Sequence, residues 1–186
     1  MVKSKFSIYD LVIMSSLTAI LFVQEQLLSS IPGVQLTIFL MVLYSRKLGF
    51  VKSSIIVILH VLLDNFYMSS FSLQYTPAML LGWLLIPVLL HTVFKKVNKP
   101  IFLALLGILF SFLYCWCYIL PNYLLHGIDP ISYLLSDIIF EIILAAISFI
   151  TIILLYKPCD KLLSLLIKDN KTNDEIKVIE NDEKSS

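Results

Sequence analysis

Apolar runs near the length needed to cross a bilayer recur five times in this chain, at about 8–31, 50–66, 77–94, 101–120 and 131–156. A crossing takes roughly 20 predominantly apolar residues, so 186 residues divided this way leave no space for a separate soluble core. Only 15% of the residues are charged, against about 25% in soluble domains. The sequence therefore predicts an all-α, polytopic, multi-pass protein of the cell membrane. No small-residue cleavage site follows the first run, which is expected to stay as a helix rather than leave as a signal peptide.

A sixth run, 34–44, is too short to cross by itself; it follows Ser29-Ser30-Ile31-Pro32-Gly33 and stops at Ser45-Arg46-Lys47. Charge decides how to count it. Lys3 and Lys5 precede the first run, and Arg46, Lys47 and Lys52 follow the short one. Lys95, Lys96 and Lys99 come next, and the remaining lysines, from Lys157 to Lys184, follow the last run. The connections around 29–35, 67–76 and 121–130 carry neither Lys nor Arg. Basic connections stay on the cytoplasmic side. The alternation thus calls for six transmembrane helices with a short second helix and cytoplasmic N and C termini. Twelve or so residues cover about 18 Å of a hydrocarbon core about 30 Å thick. The Ser-Ser-Ile-Pro-Gly connection must then dip below the outer surface, which is tolerated only where it is buried in protein or lines a cavity. An outward-facing cavity beside the first two helices is the expectation. Residues 1–167 form the six-helix domain, and the polar, mixed-charge stretch 168–186 is expected to be a disordered cytoplasmic tail.

Within this frame, the stretch LFVQEQLL at 21–28 stands out, because it sets Gln24, Glu25 and Gln26 inside an apolar run. An acidic residue at a helix centre costs roughly 2.5–3.5 kcal/mol on the insertion scale, so it needs a partner or a purpose. Helical rise puts Glu25 about 21 Å above the cytoplasmic end of its run, Asp64 about 21 Å and Glu141 about 24 Å, with Asp137 a turn higher. Trp116 and Tyr118 fall at about 23–26 Å. Acids and aromatics from four helices thus gather in the outer third of the membrane. The candidate substrate-binding residues are Gln24, Glu25, Gln35, His60, Asp64, Asn65, Tyr75, Trp116, Tyr118, Asp137 and Glu141. The competing expectation is that these side chains merely snorkel to water at the interface.

His60 and Asp64 stand at i and i+4 on one face, and a hydrogen bond between them is expected rather than a metal pair. Gln74 and Tyr75 are placed on an outer loop, as are Asn122, His126 and Asp129. Tyr114, Trp116, Tyr118 and Tyr123 suit an interfacial aromatic belt; for Tyr123 the belt is the expectation, while Trp116 and Tyr118 fit belt and binding site equally. Cys115, Cys117 and Cys159 show no metal or disulfide spacing and read as small buried hydrophobes. No metal, cofactor or nucleic acid is implied. Carboxylates without an outer Lys or Arg favour a neutral or cationic ligand, and aromatic faces with amide side chains suit a flat heterocycle, thiamine-like or pyridoxine-like in kind. Membrane lipid is the other expected partner.

The stretches IPGVQLTIFLMVLYSRKLGF and LLDNFYMSSFSLQYTPAMLLGWLLIP, in a six-helix chain with a short second helix, resemble the substrate-binding S component of energy-coupling factor (ECF) vitamin transporters. The resemblance spans roughly residues 8–160. It implies a protein that captures a vitamin or related heterocyclic micronutrient from outside, associates with an ECF coupling subunit and ATPase subunits, and topples to release its cargo inward. It is not an enzyme, and no G-x-x-x-x-G-K-[ST] nucleotide loop is present. The family docks its coupling subunit through small residues four apart on the first helix. Ser15 and Ala19 match that pattern in size, and Val23 departs from it. The alternative is a membrane scaffold of the rod-shape, cell-wall elongation type. A third reading, an intramembrane enzyme using His60 and the acids, lacks a recognisable nucleophile.

Overall fold

In the computed structural model of the chain, residues 6–67 and 75–185 are described, with side chains as far as residue 167. Among the described residues six helices follow one another: α1 (Ile8–Leu28), α2 (Thr37–Tyr67), α3 (Thr76–His91), α4 (Pro100–Trp116), α5 (Ile119–His126) and α6 (Pro130–Ser185). The described residues contain no strand. Four segments are long and apolar enough to cross a membrane, namely Ile8–Leu28, Thr37–Tyr67, Pro100–His126 and Pro130–Ile167, and α3 is a shorter apolar helix. Long apolar helices of this kind are those of a membrane-embedded protein.

α2 joins what the sequence reading separated into a short second helix and a third. Gly49, at φ 81 and ψ 175, interrupts it and divides it into arms covering 37–48 and 50–67. A positive φ is close to free for glycine and costly for a residue with a Cβ. The first arm is buried from Thr37 through Ser45 without a break. A helix that is apolar all round belongs inside the protein, and this arm forms the centre of the bundle, with α1, α3, α4 and α6 packed against α2.

α6 packs most extensively on α4, along a seam of small residues. Ala104, Gly107, Ser111 and Cys115 lie at helical spacing on α4 and are buried. A Cβ at Gly107 would come within 2.7 Å of Ile152 Cδ1, and Ser111 Oγ lies 3.3 Å from Ser148 Oγ. Small residues let two backbones approach closely, which is how helices associate where no water drives them together.

Two of the sequence boundaries shift. The run 101–120 ends as α4 at Trp116, and the chain turns into α5. Asn122 and His126 are therefore on a short helix, not on a loop. The helix α6 is continuous to Ser185, across the stretch expected as a disordered tail; its side chains beyond 167 lie outside the described residues. Gln74 lies outside the described residues as well.

One end of the bundle collects the basic side chains. Lys52 at the start of the second α2 arm pairs with Asp10 in the first turn of α1, whose N-terminus is capped by Ser7. Lys47 pairs with Asp160 of α6 at 2.8 Å, and Arg46 donates to the carbonyls of Phe94 and Lys95 after α3. Asp10 and Glu25, fifteen residues apart on one helix, are separated by about 22 Å. The opposite end is the polar, acidic one.

Candidate functional site

The three polar residues that close α1 diverge, because successive side chains on a helix point about 100° apart. Gln24 Nε2 donates to the Leu21 carbonyl at 2.9 Å and to Thr37 Oγ1 at 2.8 Å, while its Oε1 accepts from the Leu36 N–H at 2.8 Å. It fastens the start of α2 to the end of α1. Gln26 Nε2 donates to Asp64 Oδ1 at 2.9 Å. Glu25 Oε2 lies 3.0 Å from His60 Nε2, and it accepts from Thr37 Oγ1 at 3.3 Å. A fixer, a carboxylate and a carboxylate's partner thus occupy consecutive positions.

His60 is fully buried behind Glu25. Its Nε2 is close enough to Glu25 for an ion pair but off the line of a hydrogen bond, and Nδ1 has no hydrogen-bond partner. The expected His60–Asp64 bond is absent: Asp64 turns to Gln26 of α1, and His60 turns to Glu25. Tertiary partners on a neighbouring helix displace the i, i+4 neighbour, whose pairing is worth only about 0.2–0.5 kcal/mol.

Between these groups lies a hollow of about 190 Å³, lined by Glu25, Gln26, Gln35 and Asp64, by the connection 28–34, and by Tyr114 and Phe140 from α4 and α6. The connection is a run of tight turns with Ile31 N–H on the Leu28 carbonyl at 3.0 Å and Val34 N–H on that of Ile31 at 3.1 Å. Gly33, at φ 77, is buried against α6, where a Cβ would meet Ile143 Cγ2 at 3.0 Å and the Phe140 carbonyl at 3.1 Å. The connection lines the cavity, as expected, but it is anchored to the protein only through Gly33; Ser29 to Pro32 are exposed, so it forms a rim rather than a segment buried in the bundle.

Tyr114 backs the hollow and heads a stack of rings. Its ring lies flat on the fully buried Trp83 at 3.9 Å, and Trp83 meets His60 edge-on at 6.5 Å. Outward from Tyr114, the hydroxyls of Tyr114 and Tyr118 are 3.0 Å apart; Tyr118 stacks on Tyr75 at 6.2 Å, and Tyr75 stacks on His126 at 6.3 Å. The Tyr75 hydroxyl also joins Asn122 Oδ1 at 3.2 Å and His126 Nε2 at 2.9 Å.

Of the residues singled out from sequence, Glu25, Gln35 and Asp64 line the hollow together, with His60 directly behind. Gln24 braces it from outside. Tyr75 and Tyr118 belong to the ring stack above. Asn65 does not face the hollow: it is buried, donates to the Val61 carbonyl at 2.7 Å and accepts from Thr76 Oγ1 at 2.7 Å, which anchors the start of α3. Asp137 and Glu141 are not in it either. They stand on the α4–α6 side, where a second cavity of about 200 Å³ is bounded by Tyr114, Cys115, Tyr118, Tyr133, Asp137 and Phe140. Tyr114 and Phe140 form the wall common to both. Trp116 is about half exposed and lines neither. Ser15 and Ala19 are exposed on α1, on the same side as Val12 and Val23.

Gln26, Tyr114 and Phe140 were missed as lining residues. For Tyr114 a signal existed: Tyr114 and Tyr118 are four apart and share a helical face, whereas Trp116 lies on another. Nothing local in the sequence marks Phe140.

The hollow presents two carboxylates, two amides and an aromatic wall, with no basic side chain among its lining residues. Such a site suits a ligand that donates hydrogen bonds or carries positive charge and offers a flat face. Comparison with protein-family models, curated proteins and solved structures finds no match to this chain.

Proposed function

We propose that this protein is the substrate-binding subunit of an ECF-type ATP-driven importer, capturing a small heterocyclic micronutrient from outside. The observation that carries this reading is the convergence of Glu25, Gln26, Gln35 and Asp64 on one hollow, beside the connection that joins α1 to α2. A scaffold has no need of two carboxylates held beside a cavity with no basic lining residue. In this reading the chain crosses the membrane six times, the two α2 arms counting separately, with the basic end and both termini on the cytoplasmic side. The acidic end then faces outward.

At about 190 Å³ the hollow is smaller than the roughly 300–1,000 Å³ of drug-sized ligand sites. A single-ring, pyridoxine-like molecule is thus favoured over a two-ring thiamine-like one. Glu25 and Asp64 accept its hydrogen bonds or balance its charge, Gln26 and Gln35 orient it, and Tyr114 stacks against it. The exposed Ser15 and Ala19 leave α1 open to the coupling subunit.

The test is ligand-induced thermal stabilisation of the purified full chain in detergent, across a panel of vitamins and their precursors. A single-ring heterocycle is expected to stabilise it, and Glu25→Ala or Asp64→Ala to weaken binding tenfold or more. A folded protein that no panel member stabilises would move the assignment to the scaffold.

A further inference from the structure

The α4–α6 seam ends in a cluster that the hollow does not use. One ligand atom each from Cys115, Asp137 and Glu141 lie within 4.8 Å of one another. Cys115 is 2% exposed and Glu141 1%. Glu141 Oε1 is buried with no hydrogen-bond partner. An unpaired buried carboxylate oxygen is costly anywhere and more so in an apolar layer, and here it sits beside a second acid. The sequence holds no Lys or Arg between residues 53 and 94 or between 100 and 156, so α4 and α6 bring no basic side chain to this depth. What the cluster lacks is positive charge.

We propose that Cys115, Asp137 and Glu141 bind a divalent cation of the zinc–cobalt class. The donor set decides the class: one thiolate with two carboxylates is too soft for magnesium or calcium and suits a borderline transition ion. Ligand atoms around tetrahedral zinc stand about 3.4–3.8 Å apart, so closure by about 1 Å brings these three into place. The Tyr133 hydroxyl, 3.5 Å from Asp137 Oδ2, already orients one of them. Metal binding displaces the thiol proton, which leaves to solvent, and a metal–sulfur bond takes its place. Three protein ligands leave one position open, and the adjacent cavity of about 200 Å³ reaches Cys115 and Asp137. The site shares neither Glu25 nor Asp64 and stands independently of the heterocycle assignment.

Cobalt(II) is the probe, added to the full chain in detergent and followed by absorbance. One equivalent is expected to bind saturably, with a near-ultraviolet thiolate-to-cobalt charge-transfer band that zinc(II) abolishes and magnesium(II) does not. The band should survive in Cys117→Ser/Cys159→Ser, vanish in Cys115→Ser, and need at least tenfold more cobalt in Asp137→Asn or Glu141→Gln. Asp137 is only half-buried, so its variant keeps the test open if Glu141→Gln misfolds. A folded wild-type chain with no such band, a band that persists in Cys115→Ser, or unchanged affinity in Asp137→Asn would each overturn the proposal.

Discussion

The two ends of the bundle handle charge in opposite ways. At the basic end lysines close on carboxylates of neighbouring helices: Lys52 meets Asp10, Lys47 meets Asp160, and Arg46 donates to the carbonyls that follow α3, while its Nε and the Ser45 hydroxyl are buried without partners. At the acidic end the carboxylates meet amides, a hydroxyl and a histidine, with no Lys or Arg among the residues that line the hollow. His60 Nδ1 and Glu141 Oε1 are buried there without hydrogen-bond partners. Ion pairs between helices fix a fold; buried carboxylates without a basic partner are costly in an apolar layer and are the places to look for a ligand.

The sharpest break of that contrast is its direction across the membrane. In a cysteine-free background, His126→Cys at the acidic end should react with an impermeant maleimide on intact cells. Lys95→Cys at the basic end should react only after permeabilisation. The reverse pattern would invert the proposed topology and overturn the reading of the hollow as outward-facing. A smaller effect is expected at Gly33, which closes the acidic end against α6. Gly33→Ala adds a left-handed penalty of about 1–2 kcal/mol to a Cβ only 3.0 Å from Ile143, and should lower the midpoint of thermal unfolding in detergent. The smallest belongs to the basic end. Lys47→Met removes a partly exposed ion pair, worth at most about 1 kcal/mol, and should shift that midpoint barely measurably. A Lys47→Met effect larger than that of Gly33→Ala would show that the basic end, not the hollow's wall, limits stability.

The helical architecture was legible because apolar length is a property of the chain itself. So was a hollow beside the connection at 29–35, although Ser29 to Pro32 are exposed rather than buried in protein. Pairing was not. His60 and Asp64 share a helical face in sequence, yet each finds its partner on α1, and no one-dimensional spacing encodes that choice. Grouping by depth placed Glu25, Asp64 and Glu141 at one height but not at one azimuth, and the wall of Tyr114 and Phe140 separates them into two cavities. Cys115 shows the same limit. Its neighbours in sequence made it look like filler, and the α4–α6 seam brings it to two acids more than twenty residues away.

The ring stack from His60 through Trp83, Tyr114, Tyr118 and Tyr75 to His126 spans the acidic end from its floor to its rim. Its contacts are of two kinds, edge-on at His60–Trp83 and Tyr114–Tyr118 and face-to-face at the others. A guest that displaces Tyr114 also disturbs the buried Trp83 beneath it, and in Trp116→Phe, which removes the other tryptophan, that displacement is expected to change the indole emission.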